Sequence, residues 1–427
     1  MKILKTTFYS ALITFIRIAS GFVASKVIAI ITGPTGVALV GTFSNFITIA
    51  LTFANGAINT GVIKYTADYE NDIDKQKRLF GTALKITVYC SFICGVILVI
   101  FSGFWANSIS SSSLYKWPII SLGLSIVFYA LNTLLISILN GRKDIKTYTN
   151  VNTIGSIISL VFTIVMVYFF KIVGALYALA LSQSIVFIIT FFYTINSNWF
   201  SFSLFSQKFS RDEAIKLSRF SLMAIVSALL IPLSQIILRN HVASKFSLVD
   251  AGYWQGMMRI SDAYLMIVTT SLSTYFLPKL SSIKTNKELR SEIIKGYKLI
   301  LPVVFLMTLL IYFLRFLIIR ILFTPDFIVM EKLFYWQLIG DFFKIASYIL
   351  GYLMLAKAMT RLYIATEVIF TFSYVVLGYF LTDKYGLEGI VIAFGINYII
   401  CFLFIAYSFR QLLFGIGTLK EFSDGTN

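Results

Sequence analysis

Residues 331–356 read EKLFYWQLIGDFFKIASYILGYLMLA, an apolar run long enough to cross a lipid bilayer as an α-helix. Runs of this kind recur along almost the whole chain of 427 residues, of which 58% are hydrophobic and 13% charged. Water-soluble domains carry about 25% charged residues, and a water-facing surface could not hide the 41 Phe side chains. The composition therefore excludes a soluble protein and predicts an all-α, polytopic membrane protein.

Twelve transmembrane helices are predicted from these apolar runs and from the residues between them. Gly33-Pro34-Thr35-Gly36 predicts a tight connection. The serine-rich residues 107–113 and the charged residues 72–78 are expected to be loops. The predicted spans cover residues 8–32, 36–63, 81–104, 117–140, 150–170, 174–195, 217–239, 251–276, 296–319, 331–356, 362–382 and 387–409.

The distribution of Lys and Arg predicts the orientation of these spans. With the N-terminus in the cytoplasm, 22 of the 36 basic residues fall on the cytoplasmic side and seven on the opposite side. Cytoplasmic loops of membrane proteins are enriched in Lys and Arg. We therefore expect both termini in the cytoplasm and an even number of spans. Basic loops facing anionic lipid headgroups also explain much of the net charge of +17 without any binding of nucleic acid.

An internal repeat relates the two halves of the chain. When the second half is placed beside the first without gaps, Gly81 aligns with Gly296 and Gly174 with Gly389, and the span boundaries also coincide. Parallel repeats of this kind build transporters with a site between two halves. The repeat predicts two pseudo-symmetric six-helix lobes around a central cavity. Their predicted bounds are 1–200 for the N-terminal lobe, 201–216 for a cytoplasmic linker, 217–409 for the C-terminal lobe and 410–427 for a cytoplasmic tail.

Charged residues inside the predicted spans are the candidate functional residues. A charge in mid-bilayer costs at least about 2.5–3.5 kcal/mol, so it usually faces a cavity or a partner. Bases outnumber acids here, which favours an anionic ligand such as a phosphate or pyrophosphate group. The candidates for substrate binding are Arg17, Lys26, Lys85, Arg259 and Lys344, and those for proton or ion coupling are Asp262, Asp341 and Glu367.

A structural explanation of the same charges is also open. Arg259 with Asp262, and Asp341 with Lys344, lie three residues apart and can neutralise each other as ion pairs within one helix. Lys26 is near the outer end of its span, where its side chain can reach the headgroup region.

Several function classes lack their usual signals in this sequence. The chain has no GxxxxGK[ST] motif for nucleotide phosphates, and its single histidine, His241, has no acidic residue within four positions. The three cysteines have no metal-binding spacing. We therefore expect no metal, no cofactor and no enzymatic activity.

Two stretches of the chain carry a family resemblance. Tyr253–Gly256, Ile260–Leu265 and Tyr275–Ser281 form the first, and Trp336–Lys344 followed by Gly351–Leu353 forms the second. These motifs resemble those of the Wzx-type flippases of O-antigen and enterobacterial common antigen units. The resemblance extends over about residues 5–409.

The resemblance implies the multidrug/oligosaccharidyl-lipid/polysaccharide exporter superfamily, two six-helix lobes and alternating access. It also implies a cargo, an undecaprenyl-pyrophosphate-linked oligosaccharide that moves from the cytoplasmic to the periplasmic leaflet of the bacterial inner membrane. Asp262, Asp341 and Lys344 lie inside the matched motifs, and Lys26 matches directly. The family has Lys where this chain has Arg17, and no family motif covers Lys85 or Arg259.

The leading hypothesis is an ion-coupled flippase for a lipid-linked saccharide of lipopolysaccharide or common-antigen type. Its expected partners are the cargo, the bilayer and the polymerase and chain-length proteins of the same pathway. The alternative is an ion-coupled drug or metabolite antiporter of the same fold, which the excess of basic residues disfavours. A membrane enzyme would need a large outer loop or a catalytic histidine with an acid, and a scaffold would not need so many charges within the membrane.

Overall fold

A computed structural model describes the backbone of residues 2–110, 113–283, 285–357 and 359–414. Side chains are described there except at residues 2–13, 110, 113, 219, 220, 223, 274, 278 and 414. This part of the chain is helical and contains no strand. Its helices are α1 (Lys2–Ala54), α2 (Asn59–Asp68), α3 (Ile73–Ile100), α4 (Ser102–Ser110), α5 (Lys116–Gly141), α6 (Ile145–Ile195), α7 (Arg211–Lys245), α8 (Leu248–Ser271), α9 (Leu277–Ser282), α10 (Asn286–Phe313), α11 (Arg315–Leu322), α12 (Phe334–Ala356), α13 (Thr360–Tyr385), α14 (Glu388–Ser408) and α15 (Arg410–Phe414).

Within the described residues, nine helices are long and apolar enough to cross a membrane. Two of them, α1 and α6, are each a pair of helices joined at a bend, where Gly33 and Lys171 leave the helical conformation. The helix α8 falls short of these nine because Gln255, Arg259 and Asp262 lower its hydropathy. If α1 and α6 are each counted as two spans and α8 is added to the nine helices, the number of spans agrees with the twelve predicted. The all-α polytopic prediction is confirmed.

Several predicted boundaries are wrong, for local reasons. The charged residues 72–78 form the first turns of α3, because Asp72 caps that helix by accepting a hydrogen bond from the Lys75 amide at 3.0 Å. Residues 107–110 are helical in α4 and not a loop. The second span ends at Ala54, where a turn separates α1 from α2. The predicted tail lies outside the described residues from residue 415 onward.

The internal repeat is visible in the helix boundaries. The helix α5 ends at Gly141 and α12 ends at Ala356, which is the same position in the repeat. The helices that follow them, α6 and α13, begin at Ile145 and Thr360, which also occupy equivalent positions.

The repeat also includes an unusual backbone conformation. Lys171 bends α6 with φ 50° and ψ −128°, and Gly386 ends α13 with φ 64° and ψ −149°. Three residues later, a Cβ on Gly174 or on Gly389 would lie 1.9 or 2.0 Å from the backbone carbonyl eight residues earlier in the chain. Both repeats therefore turn tightly at the same point, and only glycine fits the close approach.

The chain forms two compact units, one up to Ile236 and one from Ile237 onward. The first contains α1 to α6 and most of α7, and the second contains the last turns of α7 and all later helices. The division falls inside α7, whereas the predicted linker is 201–216. The lobe bounds drawn from the sequence stay a prediction.

Large apolar side chains on the helix surfaces are exposed, as expected for contact with lipid. Phe92 on α3 is 64% exposed, Leu124 on α5 is 70% and Phe380 on α13 is 70%. So many large apolar side chains with this degree of exposure are rare on a soluble monomer. Hydrocarbon is the solvent that suits these side chains, so the fold is that of a multi-pass membrane protein.

The segment between α6 and α7, here called the connector (residues 196–210), is folded onto the first unit. Its Leu204 is buried in an apolar cluster, and its Phe205 stacks on Phe80 with ring centroids 5.7 Å apart. The other buried members of the cluster are Ile58, Val62, Leu79, Phe80, Ala83, Leu134, Ile138 and Leu217. The connector therefore contributes to a hydrophobic core rather than running free.

Polar contacts fix both ends of the connector. Trp199 donates a hydrogen bond to Asp144 at 3.1 Å, and its ring lies 4.6 Å from the Arg142 guanidinium. Just beyond the connector, Lys216 donates to Glu213 at 2.7 Å and to the Tyr69 hydroxyl at 2.8 Å. The hydrogen bonds that the Lys216 ammonium donates to Glu213 and Tyr69 raise its pKa above the ordinary value, so this group stays charged.

The unusual conformation at Gly386 gives a first prediction. Substituting Gly386→Ala places a side chain at positive φ, which costs about 1–3 kcal/mol, and should lower the midpoint of thermal unfolding in detergent. The control Gly351→Ala adds a methyl group in equally open space but in a helical conformation, so it should not destabilise the protein. Substituting Lys171→Gly should raise the midpoint. A neutral Gly386→Ala would contradict the assigned conformation.

The connector gives a second prediction. Substituting Trp199→Ala removes a ring contact and a hydrogen bond, and should destabilise the protein by about 2 kcal/mol. Circular dichroism on heating measures the effect without using tryptophan fluorescence. The control Trp117→Ala removes a side chain that is 64% exposed and should change the midpoint little. Equal effects of the two substitutions would show that the connector is not held by Trp199.

Candidate functional site

Arg17 is the basic candidate of the first unit whose charge has tyrosine hydroxyls rather than carboxylates around it. It is exposed on α1, and its charge acts on the hydroxyls of Tyr129 on α5 and Tyr148 on α6, both half-buried. Within the described part of the chain, Arg17 forms no ion pair with a carboxylate. Three helices thus place one guanidinium and two phenols together, an arrangement that can bind an anion by charge and hydrogen bonds.

The other two basic candidates of the first unit have different surroundings. Lys26 is half-buried on α1. Lys85 is exposed on α3, and its ammonium donates a hydrogen bond to the backbone carbonyl of Gln207 in the connector at 2.8 Å. That hydrogen bond gives Lys85 a structural role, since it links α3 to the connector. A role of Lys26 and Lys85 in substrate binding stays a prediction.

Two pairs of amide side chains join helices of the first unit. Asn45 donates to Gln235 at 2.9 Å, and Asn132 donates to Gln183 at 3.0 Å. Hydrogen bonds between side chains on different helices stabilise membrane proteins. These amides therefore hold the helix bundle together.

Asp341 is the centre of a buried hydrogen-bond network in the second unit. It is 0% exposed, and its Oδ2 accepts hydrogen bonds from Ser261 at 2.5 Å and from Tyr264 at 2.7 Å. Its Oδ1 accepts a hydrogen bond from Gln337 at 3.2 Å. Ser261 and Tyr264 lie three residues apart on α8, so one face of that helix supplies both hydroxyl donors. A buried carboxylate needs such donors to remain ionised.

Lys344 lies one turn further along α12 and faces several charged groups at once. Its charge acts on Asp262, Asp341 and Glu367, which come from three different helices. Its ammonium also lies 5.8–5.9 Å from three ring centroids, of Tyr348, Phe394 and Tyr398. Such distances allow cation–π attraction, which favours the charged ammonium.

The ion pairs expected within α8 and α12 are not formed. In the described residues, neither Arg259 with Asp262 nor Asp341 with Lys344 comes within 4.0 Å as a salt bridge. Asp262 is exposed, and Arg259 is half-buried. The four groups instead belong to a wider set of charges that act on each other at longer range, with Asp262 and Lys344 each acting on several others and Arg259 acting on Asp262.

Arg239 belongs to the same unit and is the last residue of the predicted span 217–239. It is 1% exposed, hydrogen-bonds to Gln255, and lies 5.5 Å from the ring centroid of Trp254. Its charge acts on Asp262 and Tyr374. The sequence offered a weak signal here, since Trp254 and Gln255 lie inside a motif quoted above.

His241 has an acidic neighbour that is distant in sequence, Asp383. Its Nε2 lies 3.6 Å from Asp383 Oδ1, because α13 brings Asp383 next to the end of α7. The same carboxylate is paired with Lys245, and the His241 ring lies 3.9 Å from the Tyr379 ring. These contacts form an ion-paired junction between two helix ends.

The sequence and the fold are similar to those of known membrane transporters. Residues 12–332 match the family described as "Polysaccharide biosynthesis protein". Lipid III flippases from Escherichia coli strain K12 and from Shigella flexneri are each 30% identical over 402 residues, which cover 94% of this chain and 97% of theirs.

The similarity in fold extends to solved structures. An inward-facing multidrug resistance MATE family transporter of the MOP superfamily superimposes with a TM-score of 0.76 at 16% identity, covering 95% of this chain and 96% of that one. A MOP superfamily transporter from Pyrococcus furiosus superimposes with a TM-score of 0.66 at 14% identity, covering 94% and 96%. The predicted resemblance and the transporter fold are thereby confirmed. This chain belongs to the polysaccharide biosynthesis protein family, together with the lipid III flippases.

Proposed function

We propose that this protein is a flippase that carries a polyprenyl-pyrophosphate-linked oligosaccharide from the cytoplasmic to the periplasmic leaflet of the bacterial inner membrane. Both termini then lie in the cytoplasm, as the excess of Lys and Arg on that side favours. Polymerase and chain-length proteins of the same pathway are its expected further partners. The family membership and the name of the two curated relatives support the class of cargo.

The observation that supports this proposal most within the molecule is the environment of Arg17. A guanidinium inside an apolar helix costs at least about 2.5–3.5 kcal/mol unless it has a partner. The charge of Arg17 acts on the hydroxyls of Tyr129 and Tyr148, which are neutral and do not compensate it. A pyrophosphate group satisfies that charge through paired hydrogen bonds.

The second unit supplies the groups that would couple transport to ions. Asp341, Asp262 and Glu367 surround one ammonium, that of Lys344. Carboxylates inside a membrane protein commonly carry protons in transporters. Arg259 and Lys344 are then available to bind cargo whenever these carboxylates no longer compensate them.

The alternative, a drug or metabolite antiporter of the same fold, fits the first unit less well. A cationic drug would be repelled by Arg17, which the described structure leaves without a carboxylate partner. The solved transporters named above share only 16% and 14% identity with this chain, so the similarity to them shows the fold alone.

Transport by purified protein in vesicles tests the proposal. A fluorescent polyprenyl-pyrophosphate saccharide should cross to the opposite leaflet faster with the protein than without it. Substituting Arg17→Gln should slow this movement about tenfold or more, since a charge-assisted hydrogen bond contributes about 1.5–3 kcal/mol. Arg17→Lys should retain part of the rate, and the exposed Arg290→Gln should behave as wild type. No acceleration by the wild-type protein would refute the proposal.

Ion coupling has its own test. Collapsing an imposed proton gradient should change the wild-type transport rate and change the rate of Asp341→Asn less, because the substituted amide does not exchange a proton while Asp262 and Glu367 still can. The exposed Asp326→Asn is the matched control and should respond as wild type. Size-exclusion profiles check that each variant is folded. A gradient response in Asp341→Asn as large as that of wild type would remove Asp341 from the coupling site.

A further inference from the structure

The charges within the second unit are balanced, unlike those around Arg17. Arg239, Arg259 and Lys344 face Asp262, Asp341 and Glu367 in a single electrostatic set. Three bases and three acids cancel when all six are ionised. Each proton that a carboxylate takes up therefore leaves one positive charge uncompensated.

The surroundings of Asp341 suit both of its protonation states. When ionised, it accepts hydrogen bonds from Ser261, Tyr264 and the amide nitrogen of Gln337. The other atom of that amide, Gln337 Oε1, is buried and has no hydrogen-bond partner in the described structure. Rotating the amide by half a turn would present Oε1 to a proton on Asp341. Gln337 can thus donate to the carboxylate or accept from the carboxylic acid.

Lys344 lies where the protonation of Asp341 would alter its attraction for a ligand. It is half-buried and therefore reachable, and the three aromatic rings around it do not neutralise its charge. Exposed Asp262 and half-buried Glu367 are also within reach of a ligand. An anion that approaches Lys344 meets repulsion from these carboxylates while they are ionised, and attraction once they are protonated.

We propose that protons and the anionic cargo bind to the second unit together. Protonation of Asp341, Asp262 or Glu367 releases the charge of Lys344 and Arg259 for the pyrophosphate group of the cargo. By linkage, bound cargo favours protonation of these carboxylates to the same extent. This rests on the proposed function, and it assigns the sign of the coupling. In an exchanger of cationic drugs, protons and cargo compete for the same carboxylates, whereas here they would assist each other.

The remaining ionisable groups near these six charges do not reverse the sign of the coupling between proton binding and cargo binding. They are tyrosines and a thiol, which are neutral when protonated and do not compensate a base. Among the described residues, the set comprises Arg239 on α7, Arg259, Asp262 and Tyr264 on α8, Asp341, Lys344, Tyr348 and Tyr352 on α12, Glu367 and Tyr374 on α13, and Tyr398 and Cys401 on α14.

Equilibrium binding of farnesyl pyrophosphate to the full-length protein in lipid nanodiscs tests the proposal. At about pH 8, Asp341→Asn should bind about tenfold more tightly than wild type, since it mimics the protonated carboxyl. Comparing variants at one pH cancels the titration of the probe itself. On lowering the pH to about 6, the difference should shrink as wild type takes up protons. Lys344→Gln should bind more weakly at both pH values.

Controls separate this inference from the proposed function. Asp326→Asn removes an exposed carboxylate outside the set and should bind as wild type at both pH values. Farnesol, which lacks the pyrophosphate, measures binding of the isoprenoid alone.

If wild type does not prefer farnesyl pyrophosphate over farnesol, the proposed function fails. If it does, but neither Asp341→Asn nor Glu367→Gln tightens binding at about pH 8, the assigned sign is wrong. Glu367→Gln serves as the second variant because Glu367 is half-buried. The folding of this variant protein therefore depends less on a single buried hydrogen-bond network.

Discussion

The cost of placing charge in hydrocarbon is the constraint on which this structure depends. Every backbone polar group within the bilayer needs a partner inside the protein, which leaves helices as the form of these spans. Side-chain charges must find partners in the same way. Asp341 does so with three hydrogen-bond donors, and Arg239 does so with Gln255 and the face of Trp254.

The two units satisfy this constraint differently, although they repeat the same backbone. Their helices share boundaries at equivalent positions of the repeat, down to the unusual conformations at Lys171 and Gly386. The side chains do not follow the repeat. The first unit has Arg17 beside tyrosine hydroxyls, and the second has acids and bases in equal number around Lys344. The repeat in the backbone is therefore not accompanied by a repeat in the arrangement of charged side chains.

Much of this fold could be predicted from the sequence because bilayer thickness fixes the length of apolar runs. The break near Gly33 and the break after residue 170 were predicted from the turn residues and run lengths, and the structure confirms both. Helical turns that lie outside the bilayer could not be predicted in this way. The first turns of α3 are charged, and their stability comes from the cap at Asp72 rather than from hydrophobicity.

The candidate sites were less predictable because their partners are distant in sequence. Asp341 was singled out as a charge inside a span, but two of its donors come from α8, about eighty residues earlier. The burial of Arg239 depends on α8 as well. Sequence spacing within one helix suggested pairing of Asp341 with Lys344, whereas the structure gives each of them other neighbours.

The connector has a consequence for biosynthesis. Leu204 and Leu217 are among the buried residues that complete a core otherwise formed by residues 58–138. Chains fold from the N-terminus as they emerge, with each domain folding as a unit. The first unit therefore cannot close its core when its six helices have been inserted, but only after synthesis has passed Leu217. Until then an apolar surface at the helix ends stays uncovered, so this interval is when chaperones or proteases would have access to it.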